Sequence, residues 1–234
     1  MNTFSDSLST AFVLLLHADA SLFGIVELSL RVSLAAVAMS TVLALPIGAF
    51  LAVNKFPGSR ALVVVLNGFM GLPSVVVGLA VYLLLSRSGP LGEWGILFTP
   101  LSMSIAQTIL LMPLIAAITR QIVEDGWRDY AEQFRSLGVG PLRAALTLLW
   151  DVRWSLSTVV LAGFGRAISE VGAVMIVGGN IDGYTRVMTT AIALETTKGD
   201  LPMALGLGII LLSIVLLLNA AAQLLRNWAA RVYP

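Results

Sequence analysis

Apolar residues fall into five long blocks along this chain, and polar residues gather in the short intervals between them. The blocks cover residues 24–53, 62–85, 96–118, 156–178 and 201–225. A helix needs roughly 20 predominantly apolar residues to cross a bilayer, and every block reaches that length. Strands of a membrane barrel would instead alternate apolar and polar positions over short segments, and no such segments occur. The pattern predicts an all-α polytopic membrane protein with five transmembrane helices. Residues 1–23 are expected to form an external N-terminal segment with a short interfacial helix near 7–18. The transmembrane domain is placed at 24–226 and a cytoplasmic tail at 227–234.

One interval departs from the rest. Residues 122–153 are rich in charge, yet within 123–137 the apolar side chains Trp127, Tyr130, Phe134 and Leu137 recur at spacings of three and four. That is one stripe of an amphipathic helix. Gly138 suits a left-handed helix end, and Pro141 suits the first turn of a following helix. The expected element is a short helix, a tight corner and a returning helix that leads into the fourth span. Two uses fit the stripe equally: docking into a groove of a partner protein, or resting on the bilayer surface.

Composition agrees with the pattern. Of 234 residues, 58% are hydrophobic and 12% charged, about half the charge of an ordinary soluble domain. The absence of cysteine excludes disulfides, thiolate metal sites and cysteine catalysis, and a single histidine, His17, makes a zinc site improbable. The first twenty residues do not read as a cleaved signal, because no Lys or Arg precedes the apolar run 11–16.

Charge placement orients the spans. One set of intervals holds Lys55, Arg60, Arg120, Arg128, Arg135, Arg143, Arg153, Arg226 and Arg231; the other holds only Arg87, Arg186 and Lys198. Cytoplasmic loops carry the Lys/Arg excess, so the N-terminus is expected outside, the C-terminus inside, and the 122–153 element in the cytoplasm.

Ionisable residues within the spans are few. Arg166 and Glu170 lie four apart in the fourth block, where intramembrane charges usually face a bundle interior or a wet cavity. They either neutralise each other structurally or place a cationic spot on an anion's route. Glu27 and Arg31 repeat the spacing near the outer end of the first block, where simple pairing or snorkelling suffices. Gly68, Gly71, Ser74 and Gly78 form a small-residue face in the second block, as do Ala162, Gly165, Ser169, Gly172 and Gly179 in the fourth; both suit close helix packing. Pro46, Pro73 and Pro113 fall inside blocks and favour kinks. The hydroxyl-rich stretch 178–201 reads as a solvated external loop whose apolar part 187–194 dips towards the membrane, or as an anion-receiving surface. No phosphate-binding G-x-x-x-x-G-K-[ST] loop is present, and nothing points to nucleic acid.

The run Glu132-Gln-Phe-Arg-Ser-Leu-Gly138-Val-Gly-Pro141 resembles the EAA loop of type I ABC-transporter permeases, with Glu132 at the motif glutamate and Gly138 at the motif glycine. Gln133 and Phe134 replace two alanines, and Trp150-Asp151 replaces a common Leu-Pro. Leu72-Pro-Ser-Val-Val-Val-Gly-Leu79 with Gly89-Pro-Leu-Gly92, and Gly163-Phe-Gly-Arg-Ala-Ile-Ser-Glu170-Val-Gly-Ala, are similar to the sulfate/molybdate branch. The stretch 184–200 is most similar to its tungstate-specific members. The resemblance implies the type I ABC permease fold and a non-catalytic subunit of an oxyanion importer in the prokaryotic inner membrane. It further implies a second copy of the chain, ABC ATPase subunits and an extracytoplasmic oxyanion-binding protein. By the same resemblance no cofactor is expected to be bound directly, with ATP and Mg²⁺ used by the partner ATPase. The residues expected to couple to that ATPase are Tyr130, Glu132, Phe134, Leu137, Gly138 and Pro141. Those expected along the translocation path are Pro73, Ser74, Arg166, Glu170 and Thr189. An ATPase-independent secondary transporter or anion channel is the alternative, although no internal repeat of the kind many such transporters carry is visible.

Overall fold

A computed structural model describes residues 20–232. The expected N-terminal segment, its interfacial helix and His17 lie outside the described residues. Among the described residues there are nine α-helices, one 3₁₀ turn and no strand. They are α1 (Ala20–Val53), α2 (Ser59–Phe69), α3 (Ser74–Leu85), α4 (Pro100–Ser136), α5 (Pro141–Asp151), α6 (Arg153–Ile168), α7 (Gly172–Gly178), α8 (Met188–Lys198) and α9 (Leu201–Val232).

Among the described residues only α1, α4 and α9 are single helices long and apolar enough to cross a bilayer; two broken pairs, α2 with α3 and α5 with α6, pass when each is taken together. The first, third and fifth apolar blocks thus fall on single helices and the second on the pair α2 with α3, while the fourth block, 156–178, falls on α6 and α7 and not on the pair α5 with α6. The second is interrupted by Pro73, which stands at the N-cap of α3 in an extended conformation instead of kinking a continuous helix. Proline removes a backbone donor, and the helix restarts where that donor is not needed. Pro46 and Pro113 do lie inside helices, in α1 and α4. The fourth block breaks at residues 169–171, between α6 and α7.

The polar interval also differs from expectation. No separate short helix covers 123–137; residues 123–136 form the last turns of the 37-residue α4, and Leu137 lies in the turn that follows. Gly138 then takes φ +64°, the left-handed turn that glycine adopts at no steric cost, and the amide of Val139 donates to the Phe134 carbonyl at 2.9 Å. Pro141 opens α5, and α5 and α6 meet at 75°.

The helices sort into two units. The first comprises residues up to Ala35, Pro73–Gln107 and Arg166–Leu217; the second comprises Ala36–Leu72, Thr108–Gly165 and residues from Leu218 onward. In the first, α3 packs on α7 so closely that a Cβ on Gly78 would stand 2.7 Å from the Ala173 Cα. Ser102 donates to the Val177 carbonyl at 3.1 Å, and the amide of Met188 donates to Ser29 Oγ at 2.8 Å, which caps the start of α8. In the second, Ala49, Ala52 and Val53 of α1 and Val123 of α4 pack with Ala144, Ala145 and Leu148 of α5. Gly48 lies on α4, where a Cβ would stand 2.5 Å from the Ala116 carbonyl oxygen. Small residues let helix backbones approach this closely, which is how packing is gained where lipid removes the hydrophobic drive between helices.

Candidate functional site

Two constellations contain the residues expected to act. The first is the corner between α4 and α5, in the second unit. Trp127 and Phe134 stack with ring centroids 5.8 Å apart and turn inward onto the Ala49–Leu148 cluster. Tyr130 and Leu137 stay exposed, at 42% and 77%. The aromatic stripe thus divides: one pair anchors the corner to α1 and α5, and the other faces outward. Glu132, Gly138 and Pro141 are exposed as well. Leu142, Leu146 and Trp150 continue the exposed apolar surface along α5. That extension was not anticipated, although their 4-residue spacing is visible in the chain. Salt bridges from Arg120 to Glu124 and from Arg128 to Asp125 (3.5 Å) run along this end of α4.

The second constellation is the break between α6 and α7, in the first unit. Arg166 and Glu170 do form an ion pair, at 3.4 Å, but across a helix end and not along one continuous helix. The Glu170 side chain is 6% exposed and that of Arg166 54%. The amide of Glu170 turns back to the Ala167 carbonyl at 3.1 Å. Its carboxylate accepts the amide of Ala173 at 3.4 Å, in the first turn of α7. A carboxylate there favours the free N–H groups of a helix start. Thr189 Oγ1 donates to the Glu170 carbonyl at 2.7 Å, so α8 fastens the break from the other side. Gly172 lets α3 approach: a Cβ would stand 2.8 Å from Ser74 Oγ.

Ser74, Glu170 and Thr189 are therefore brought together around one unwound turn, with Arg166 paired to it and Pro73 one residue before Ser74. Sequence reasoning missed Gln107. Its side chain is buried on α4, its Nε2 donates to the Ala167 carbonyl at 3.0 Å, and its Oε1 has no partner. A glutamine inside an apolar block was the available signal. The small residues of the fourth block also do more than pack, since Gly172 opens α7 directly after the break.

The stretch 178–201 is not a solvated loop. It contains α8, whose Met188, Thr189, Thr190 and Ala191 are buried. Its hydroxyls bond to nearby backbone: Thr185 donates to the Gly178 carbonyl and Thr190 to that of Val187, at 2.5 and 3.1 Å. They do not form an open surface of free donors. Among the described residues no cluster of metal-ligating side chains occurs.

Long apolar helices and broken apolar pairs define a polytopic helical membrane protein, and residues 44–231 match the family described as binding-protein-dependent transport system inner membrane component, to which the chain belongs. It is a multi-pass membrane protein of an ABC permease family whose members are generally non-catalytic. Membership implies an ATPase and a substrate-binding protein as partners. The chain is 39% identical over 227 residues to the tungstate uptake system permease protein TupB of Peptoclostridium acidaminophilum, covering 97% of this chain and 100% of that one. It is 43% identical over 211 residues to a probable anion ABC transporter permease protein of Haloferax volcanii, covering 88% and 91%. A TupB from Campylobacter jejuni is 34% identical over 222 residues, covering 95% and 93%. The sulfate transport permease CysW of Synechocystis is similar at 29% identity.

Proposed function

We propose that this chain is the membrane-spanning subunit of an ATP-driven importer whose cargo is tungstate, with molybdate and sulfate the next candidates. The observation that carries the reading is likeness over nearly the whole chain to two tungstate uptake permeases, against a lower and shorter match to a sulfate permease. In this reading α1, α2 with α3, the apolar part of α4, α6 with α7, and α9 make five crossings. The N-terminus lies outside, and the α4–α5 corner lies in the cytoplasm.

Two copies of the chain would enclose one path, each corner seated on an ATPase subunit that uses ATP and Mg²⁺. Tyr130, Glu132 and Leu137 would meet the ATPase, while Phe134, Gly138 and Pro141 keep the corner rigid. Closure of the ATPases would move the corners together. The unbroken α4 and the α5–α6 bend are the stiff parts able to carry that motion into the bundle. Access would then open outward, an external binding protein would release its anion, and hydrolysis would restore the inward state. Along the path, Arg166 would attract the oxyanion, and its pairing with Glu170 would hold that attraction weak enough for release. Ser74 and Thr189 would shape the turn that presents it.

The test is co-expression with the ATPase and the binding protein, followed by elemental analysis of the anion bound to the receptor and of anion taken up by cells. Tungsten is expected in both. Molybdenum or sulfur in its place would revise the cargo, and uptake without the ATPase would sink the importer reading. Glu132→Lys is expected to leave the helices inserted and to abolish ATP-dependent uptake; wild-type uptake would remove the corner from the coupling path.

A further inference from the structure

We propose that the turn between α1 and α2 forms, with α4, a binding site for the phosphate head group of an anionic phospholipid. The site is a cleft of about 780 Å³ in the second unit. That volume lies in the range of about 300–1,000 Å³ usual for small-molecule sites. Lys55, Arg60 and Arg120 line it against a single carboxylate, Glu124, so its net charge is positive.

Each element contributes for a physical reason. The apolar run of α1 ends at Val53 and is followed at once by Asn54 and Lys55. On α4 the apolar run through Ile118 gives way to Arg120, Gln121 and Glu124. Gly48 sits so close to α4 that an added Cβ would stand 3.0 Å from the Arg120 amide nitrogen. The two helices thus turn polar within about two turns of each other, on either side of the cleft. Between them the turn reverses at Gly58, φ +91°, and α2 starts without a side-chain cap.

The cations are unequally engaged. Arg120 bonds Glu124 through one terminal nitrogen, but its Nε is buried without a partner. Lys55 and Arg60 are exposed. A phosphate diester offers several acceptor oxygens to the exposed Lys55 and Arg60, and Arg recognises phosphate through more than one N–H at a time; Arg120, held by Glu124, adds its charge to the cleft. The other side of the cleft suits acyl chains. Leu51, Val63 and Val64 line it, Val64 is 69% exposed, and no residue of α2 is buried. Basic pockets between membrane helices next to apolar flanks bind anionic head groups on this principle. The inference needs only that the chain is embedded in a membrane, and it is independent of the cargo.

The experiment is native mass spectrometry of the full chain, extracted from vesicles of pure phosphatidylcholine or of equimolar phosphatidylcholine and phosphatidylglycerol. Retention of phosphatidylglycerol in preference to phosphatidylcholine is expected. The double variant Lys55→Gln/Arg60→Gln should weaken that retention about 25-fold, taking about fivefold for each cation, the equivalent of ~1 kcal/mol per Lys or Arg near an anionic surface. Arg87→Gln, an exposed cation on a different loop, should leave it unchanged. Equal retention of the two lipids, or an unchanged double variant, overturns the site. Complete displacement by millimolar inorganic phosphate overturns the lipid assignment in favour of a free phosphate site. If the lipids are indifferent and the double variant instead loses a co-purifying ATPase, the cleft takes a protein partner and the proposal fails.

Discussion

Substituting Gly78 by alanine tests the close contact of α3 with α7 that frames the broken turn. A Cβ there would lie 2.7 Å from the Ala173 Cα and 3.2 Å from the Ala173 carbonyl oxygen, both backbone atoms that cannot rotate away. Alanine in a helix interior is otherwise favoured over glycine by about 0.8–1.0 kcal/mol. Forcing a methyl group into a filled contact costs about 1–3 kcal/mol. The net result is a loss of roughly 0–2 kcal/mol, with a mid-range value near 1. Gly208, inside α9, has nothing within 4 Å of where its Cβ would stand. Gly208→Ala should therefore keep the full propensity gain. In a chain of this size each kcal/mol moves the melting temperature by about 2–4 °C. The two variants should thus separate, Gly208→Ala rising by about 2–4 °C and Gly78→Ala falling by up to about 8 °C. Thermal unfolding of the detergent-purified protein, followed by tryptophan fluorescence, measures both. Equal upward shifts would refute the contact, and with it the account of how α7 is held against α3.

Thr189→Val removes the hydroxyl that donates to the Glu170 carbonyl and should cost about 1–3 kcal/mol, while Thr189→Ser should restore most of it; equal melting temperatures would contradict the fastening role. Gly138→Val places a branched side chain at φ +64° and should destabilise the corner by about 1–2 kcal/mol, measured by denaturant unfolding, whereas Gly138→Asn should cost less. Arg166→Ala leaves the Glu170 carboxylate, whose side chain is 6% exposed, without its ion-pair partner; an inserted protein that has lost anion uptake is the outcome expected of a path residue, and failure to insert would assign the pair to structure alone.

The corner shows how far local pattern reaches. Gly138 and Pro141 announced a left-handed stop and a helix start, because those residues act on their own backbone. The same pattern could not say that residues 123–136 are the end of a longer helix, since helical period is identical whether a helix begins there or continues. Nor could it divide Trp127 and Phe134 from Tyr130 and Leu137. All four lie within one stripe, and only the position of the Ala49–Leu148 cluster decides which of them turn inward.

The broken turn taught the opposite lesson. Arg166 and Glu170 stood out by charge, Ser74 as a member of a small-residue face and Thr189 within the hydroxyl-rich stretch 178–201, but no spacing announced that Ser74, Glu170 and Thr189 meet. Thr189 reaches Glu170 across 19 positions. Gly68 and Gly78 read alike as small members of one face, yet only Gly78 lies against another backbone.

The sequence by itself determined that this chain lives in a membrane, where its long apolar blocks lie, which family it resembles and where its backbone turns at Gly138 and Pro141. Those follow from side-chain hydrophobicity, charge count and the conformations of glycine and proline, which act within a few residues. The tertiary structure alone decided where the spans break, which small residues are contacts and which hydroxyls hold carbonyls in place. Those depend on helices distant in the chain approaching to within a few ångströms, and short-range patterns carry no record of that approach.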